Sequence, residues 1–118
     1  MEIKVLTEDL AGSQAGLGFI SADGFLNQLV VVVVHSGPRT LKTRFGDRQF
    51  YEVTVATPKG ALRGLAAWSF LGRLTPEEPV CGVLRRKGKM YVLTPPEATV
   101  SKEWLKKVKD ILSEEVPF

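Results

Sequence analysis

RTLKTRFGDRQFYEVTVAT, residues 39–57, is the stretch from which the fold is read. From Gln49 the letters alternate. Tyr51, Val53 and Val55 fall on one side and Glu52 and Thr54 on the other, the period of a half-buried strand with its Tyr/Val side inward. Before it, residues 43–47 (TRFGD) supply a basic turn. Before that, residues 29–34 read LVVVVV, too β-branched and too short for a membrane span and best explained as a strand covered on both faces. Together they predict a β-hairpin with a cationic tip.

Outward from the hairpin, Pro58, Lys59 and Gly60 make a tight turn, with Pro fixing φ and Gly free to take positive φ. Residues 61–68 then predict a third strand of small and apolar residues. Residues 69–74 (SFLGRL) have room for one helical turn, which residues 75–79 (TPEEP) end. Residues 80–86 predict a fourth strand, Lys87 and Gly88 a hairpin turn, and residues 89–93 a fifth strand that Pro95 and Pro96 stop. From Ser101, a natural N-cap, Trp104, Leu105, Val108, Ile111 and Leu112 recur at helical spacing, flanked by Lys102, Lys106, Lys107 and Lys109. That stripe must be buried, either on the sheet or on a second subunit, the latter giving a homodimer through the helix. On the amino-terminal side, residues 1–6 suggest a short strand and residues 11–18 a loop. Residues 21–27 suggest a capped turn whose Phe25 and Leu26 close one end of the core. Residues 16–19 (GLGF) match the letters of the carboxylate-binding loop of PDZ domains, but nothing downstream completes such a domain.

At 118 residues, 44% of them hydrophobic, the chain is expected to form one domain with a real core and is too short for a multidomain enzyme. No charged-then-apolar leader opens it and no apolar run approaches the roughly 20 residues of a membrane helix, so a cytoplasmic, intracellular protein is expected. Cys81 stands alone, which rules out an internal disulfide, and beside Val80 and Val83 it reads as a small buried hydrophobe. The net charge of +3 is unevenly placed. Residues 1–38 sum to −3, residues 39–89 to +7 through eleven bases against four acids, and residues 90–118 to −1. Such a concentration marks either a polyanion-binding face or a solvated strand surface.

Five short strands with a brief helical connection between the third and fourth is the arrangement of an OB-fold barrel. The series VVHSGPRTLKTRFGDRQFYEVTVAT, GALRGLAAW and PVCGVLRRKGKMYVL resembles the OB domains of single-stranded-DNA-binding proteins. In that family a basic-Thr-basic-aromatic-Gly turn joins the first two strands, a small-apolar-Trp ending closes the third, and a basic turn followed by Tyr joins the last two. The match spans roughly residues 29–93. It departs from the family where Pro76 and Pro79 stand in place of a Gly-Asp before the fourth strand, and residues 1–28 have no counterpart. The resemblance implies one mainly β domain over residues 1–118. Its parts would be an N-terminal extension (1–28), a five-stranded OB-like barrel (29–93) and a C-terminal amphipathic helix (101–115).

Single strands are held by cations that track phosphates and by aromatic faces on which bases stack. Lys42, Arg44 and Arg48 surround Phe45 at one hairpin, with Arg39 just before it. Arg85, Arg86, Lys87 and Lys89 precede Tyr91 at the other, and Arg73 adds a cation near the helical turn. In an OB barrel these two loops flank one face. Phe45 sits in a polar turn where a core role is hard to satisfy. Phe50 shares its strand side with Glu52 and Thr54, which makes it a second stacking candidate. For Trp68, alternation with Leu62 and Ala66 points inward, whereas the resemblance places a base-stacking aromatic there.

Catalysis finds little support in the letters. His35, the only histidine, lies beside an apolar strand and reads as a hydrogen-bonded strand-end residue, and one His with one Cys cannot form a four-ligand zinc site. No nucleophile–base pair is visible and no cofactor motif is present. The expected function is therefore non-enzymatic single-stranded DNA binding with little sequence preference, in DNA replication, DNA repair or strand protection. The alternatives are an OB module for structured RNA or tRNA, and a protein-interaction barrel whose basic face is merely solvated.

Overall fold

The hairpin around residues 43–47 is longer than the alternation alone required. The computed structural model describes residues 3–11, 23–44, 46–66, 68–87 and 90–115, with the side chains at 10, 11, 23, 43, 48, 69, 87, 90, 114 and 115 outside that description. In chain order the strands are β1 (Lys4–Val5), β2 (Leu10–Ala11), β3 (Gln28–Thr43), β4 (Gly46–Thr57), β5 (Gly60–Ala66), β6 (Val80–Lys87) and β7 (Met90–Thr94). A 3-10 helix over Ser69–Arg73 joins β5 to β6, and the helix α1 (Lys102–Glu115) ends the fold. No helix among the described residues is long and apolar enough to cross a membrane.

The strands make one mixed sheet ordered β2-β7-β6-β3-β4-β5, with β1 pairing in parallel beside the start of β6. β3 is its spine. Residues 28–32 of β3 pair with β6 on one edge, and residues 31–43 pair with β4 on the other. Two register shifts interrupt the second ladder, between Val34 and Ser36 and between Ser36 and Arg39. Gly37 lies inside the second with φ 133°, and a Cβ there would stand 2.8 Å from Tyr51 Cδ1 and 3.0 Å from the Phe50 carbonyl oxygen. Only glycine fits that bulge without strain.

The valine run is covered on both faces, as its lack of alternation required. Val30, Val32 and Val34 join Val53, Val55, Ala66, Trp68, Phe70, Leu71, Leu84 and Leu93 in the larger core, with Phe25 and Leu26 packed against it. Val31 and Val33 face the other way and meet Ala56, Cys81, Val108 and Leu112. The second cluster is the seat of α1. Its stripe buries Val108 and Leu112, with Trp104 and Leu105 packed half-buried beside them. This chain's own sheet therefore covers Val108 and Leu112 of the stripe. Ser101 caps the helix, its Oγ accepting the Trp104 N–H at 3.1 Å.

The expected barrel does not close. Closure would require the fifth predicted strand, β7, to pair with the third, β5, but the outer edge of β7 is taken by β2 through Leu10↔Leu93 and Ala11↔Val92. The amino-terminal extension thus fills the hydrogen-bonding edge that a closed barrel would use. Aromatic packing bridges the opening instead. Trp68, just past the end of β5, brings its ring centroid to 5.7 Å from that of Tyr91 on β7 and to 5.9 Å from that of Phe70. Leu62, opposite Val55 on the inner side of β5, is left 43% exposed, as expected for an edge with no described strand beyond it.

Candidate nucleic-acid interface

Beyond the part of the sheet that holds three or more strands, β3 and β4 run on together. The pairs Arg39↔Phe50, Thr40↔Gln49, Leu41↔Arg48, Lys42↔Asp47 and Thr43↔Gly46 have no described strand beside them, since β6 stops at Val32 and β5 at Tyr51. The result is a two-stranded arm. Residues 39–50 hold four bases and one acid, a net charge of +3. Arg39, Lys42 and Arg44 are exposed on it. The ladder places Arg39, Leu41 and Phe50 on one face and Thr40, Lys42, Asp47 and Gln49 on the other. Phe45, Gly88 and Lys89, together with the GLGF segment at 16–19, lie outside the described residues, as do the side chains of Arg48 and Lys87.

Of the aromatics considered for stacking, Phe50 departs from the expectation, whereas Trp68 takes the inward side that alternation with Leu62 and Ala66 indicated. Phe50 is 3% exposed and Trp68 1% exposed, so neither offers a ring face to a base. The reason for Trp68 is the 3-10 helix that follows it, which folds the chain back over the inner face so that Trp68, Phe70 and Leu71 fill the core together. Tyr91 is half-buried against the same core, and the Arg86 guanidinium carbon lies 5.8 Å from its ring centroid.

The second basic hairpin divides across the sheet. The strand runs one residue further than expected, through Lys87, and its alternation points Arg85 and Arg86 to opposite faces. Arg85 is held on the α1 side of the sheet, its Nε donating to Thr94 Oγ1 at 3.2 Å and its terminal nitrogen to Glu97 at 2.5 Å. It forms one wall of a cavity of about 450 Å³ beside Leu29, Val83, Val100 and Trp104. Because β6 runs antiparallel to β3, its hairpin leaves the sheet beyond the start of β3 while the arm leaves beyond its end. The two cationic hairpins therefore sit at opposite ends of β3 rather than side by side. Arg73, exposed at the end of the 3-10 helix, borders a small cleft with Lys4 and Glu78.

Two sets of partners were not named by sequence reasoning. On the outer face, Glu52 of the central strand β4 is bonded by Arg63 of β5, through Nε at 2.9 Å and through a terminal nitrogen, and lies 3.9 Å from Arg39 of β3. The Arg63 hydrogen bond, acting against burial, holds the Glu52 carboxyl below the usual range. Only the three-strand register could have announced this. His35, at the first bulge, bonds Thr54 Oγ1 through Nε2 at 2.7 Å and Glu77 through Nδ1 at 3.1 Å. A carboxylate can only accept, so Nδ1 carries the proton and, in the neutral ring, Nε2 takes the Thr54 hydroxyl proton. Among the described residues no three metal-ligating side chains come together.

No family model, curated protein or solved structure matches this chain.

Proposed function

We propose that the chain binds single-stranded DNA with little sequence preference, as a protein of DNA replication, DNA repair or strand protection, and that the arm of β3 and β4 is its main phosphate-binding element. The observation that carries this proposal is the arm itself, a net +3 ribbon that reaches past its neighbouring strands with Arg39, Lys42 and Arg44 exposed. An isolated two-stranded ribbon is marginally stable in water, and a polyanion laid along it neutralises its self-repulsion. The run β5-β4-β3-β6-β7, with a 3-10 helix between β5 and β6, is compatible with an OB-like sheet opened along one seam. With Phe50 and Trp68 buried, cationic contact outweighs stacking in this account, and cations alone read neither sugar nor base. RNA is accordingly the alternative partner, and matched DNA and RNA oligomers separate the two, because a preference for RNA requires a 2′-hydroxyl contact.

Lys42→Ala combined with Arg44→Ala tests the arm. Both side chains are exposed, so the melting temperature should hold, while binding at low salt weakens and the slope of log K against log[salt] flattens by about 1.4, or about 0.7 for each phosphate no longer neutralised. An unchanged slope in a folded variant would exclude the arm. Duplex DNA binding as tightly as single strands would remove the single-strand part of the proposal, and no binding to any oligonucleotide at low salt would favour the protein-interaction reading.

A further inference from the structure

Glu52 occupies the centre of a three-strand row of charge. It pairs with Ser36 of β3 and Leu65 of β5, while Arg39 stands opposite Phe50 and Arg63 opposite Thr54, each two residues away along β4 and on the same face. Diagonal neighbours on adjoining strands are within reach of long side chains, so two guanidiniums converge on one carboxylate from either side. The division is complete, with Oε1 taken by Arg63 and Oε2 facing Arg39. The arginines remain accessible, with side chains 60% and 37% exposed, whereas that of Glu52 is 25% exposed. Two guanidiniums stand beside one carboxylate on a face continuous with the cationic arm, Arg63 through two nitrogens and Arg39 through one at 3.9 Å, and a phosphate in that place could take donors from both.

We propose that Arg39 and Arg63 form a phosphate subsite and that Glu52 is its built-in competitor, displaced when a phosphodiester arrives. The inference rests on the proposed nucleic-acid function and adds to it Arg63, a residue outside the sequence-based set, and a carboxylate that lowers affinity. Exchange is feasible because a partly exposed ion pair contributes little to stability, while a phosphate satisfies the same guanidinium donors. Glu52 then sets the salt concentration at which the outer face engages a strand, since its departure must accompany the binding of each phosphate there.

Glu52→Gln keeps the shape and removes the charge. Titrated with oligo-dT at fixed salt, it should bind about three- to tenfold more tightly than the unaltered chain, with a similar salt slope because the same phosphate is held in both. Asp110→Asn, on the exposed side of α1, makes the same change in net charge elsewhere and should not move the affinity appreciably. Adding Arg63→Ala to Glu52→Gln should abolish the gain. A gain no larger than that of Asp110→Asn, or one that survives Arg63→Ala, would overturn the subsite. If the unaltered chain bound no oligonucleotide, the functional proposal would fail, and tripolyphosphate would still read the subsite by thermal shift. A larger rise in melting temperature for Glu52→Gln than for the unaltered chain would support it, and an equal rise would refute it. Glu52→Ala serves the same comparisons if the amide folds poorly.

Discussion

Gly37 and Cys81 show how much a single residue decides here. The bulge at Gly37 changes the parity of β3, so that Arg39, rather than Thr40, falls on the Glu52 face. Gly37→Ala puts a methyl group 2.8 Å from the Tyr51 ring at a backbone φ of 133° that side chains rarely adopt. Steric overlap and backbone strain together should cost on the order of 2–3 kcal/mol, and calorimetry should show a melting point lower by several degrees. An unchanged melting point would mean that the bulge relaxes freely. Cys81 is fully buried beneath α1, and burial pushes its thiol up from 9.0 to about 11. An acid with a raised folded pKa keeps its proton in the folded chain after the unfolded chain has lost it, so stability falls as pH rises through the window from about 9 to about 11. Between pH 8 and pH 10, urea unfolding should lose about 1 kcal/mol more for the unaltered chain than for Cys81→Ala. Equal losses would indicate that the thiol is hydrated.

At the scale of elements, β4 and the helix were legible because each carries its own period, and β3 because its valine run carries none. Tyr51, Val53 and Val55 announce period two, and Trp104, Val108, Ile111 and Leu112 announce the helix stripe. The surroundings of a side chain are not written in its own element. Trp68 closes a strand-like run whose alternation points it inward, but the fold-back of the 3-10 helix that packs Phe70 and Leu71 around it is not part of that run. The partnership of Glu52 with Arg39 and Arg63 likewise depends on two ladders and a bulge, which local letters do not encode. The chain has two tryptophans, so their surroundings can be separated experimentally. With Trp104→Phe the remaining Trp68, 1% exposed, should emit in the blue, resist acrylamide and ignore oligo-dT. With Trp68→Phe the half-buried Trp104 should be quenched readily. The reverse pattern would reinstate Trp68 as a surface aromatic. Ser101→Ala should remove one cap bond and about 1 kcal/mol, seen as a melting point lower by about 4 °C.

At the scale of the whole molecule, the amino-terminal strands determine whether the sheet is open or finished. Residues 1–28 matched nothing in the family resemblance, and a segment without a counterpart gives no sign of where it docks. In the structure Lys4 N–H donates to the Pro79 carbonyl at 2.9 Å and Leu6 N–H to the Cys81 carbonyl at 3.0 Å. Leu6 enters the main core, and β2 covers β7. An uncovered edge of this kind is a template for pairing with another chain, and it would lie beside the half-buried Tyr91 rather than in solvent-adapted surface. Removing residues 1–11 should therefore do two separable things. The loss of Leu6 and two short ladders should lower the melting temperature measurably at any protein concentration. The bared edge of β7 should make the truncated chain self-associate, so that its apparent mass in sedimentation velocity rises with concentration while the full chain's does not follow the same curve. A truncated chain that melts like the full one would show β1 and β2 to be an appendage, and one that melts lower yet sediments as the full chain does would mean that β7 closes onto β5 once its edge is released, completing the barrel that β2 prevents.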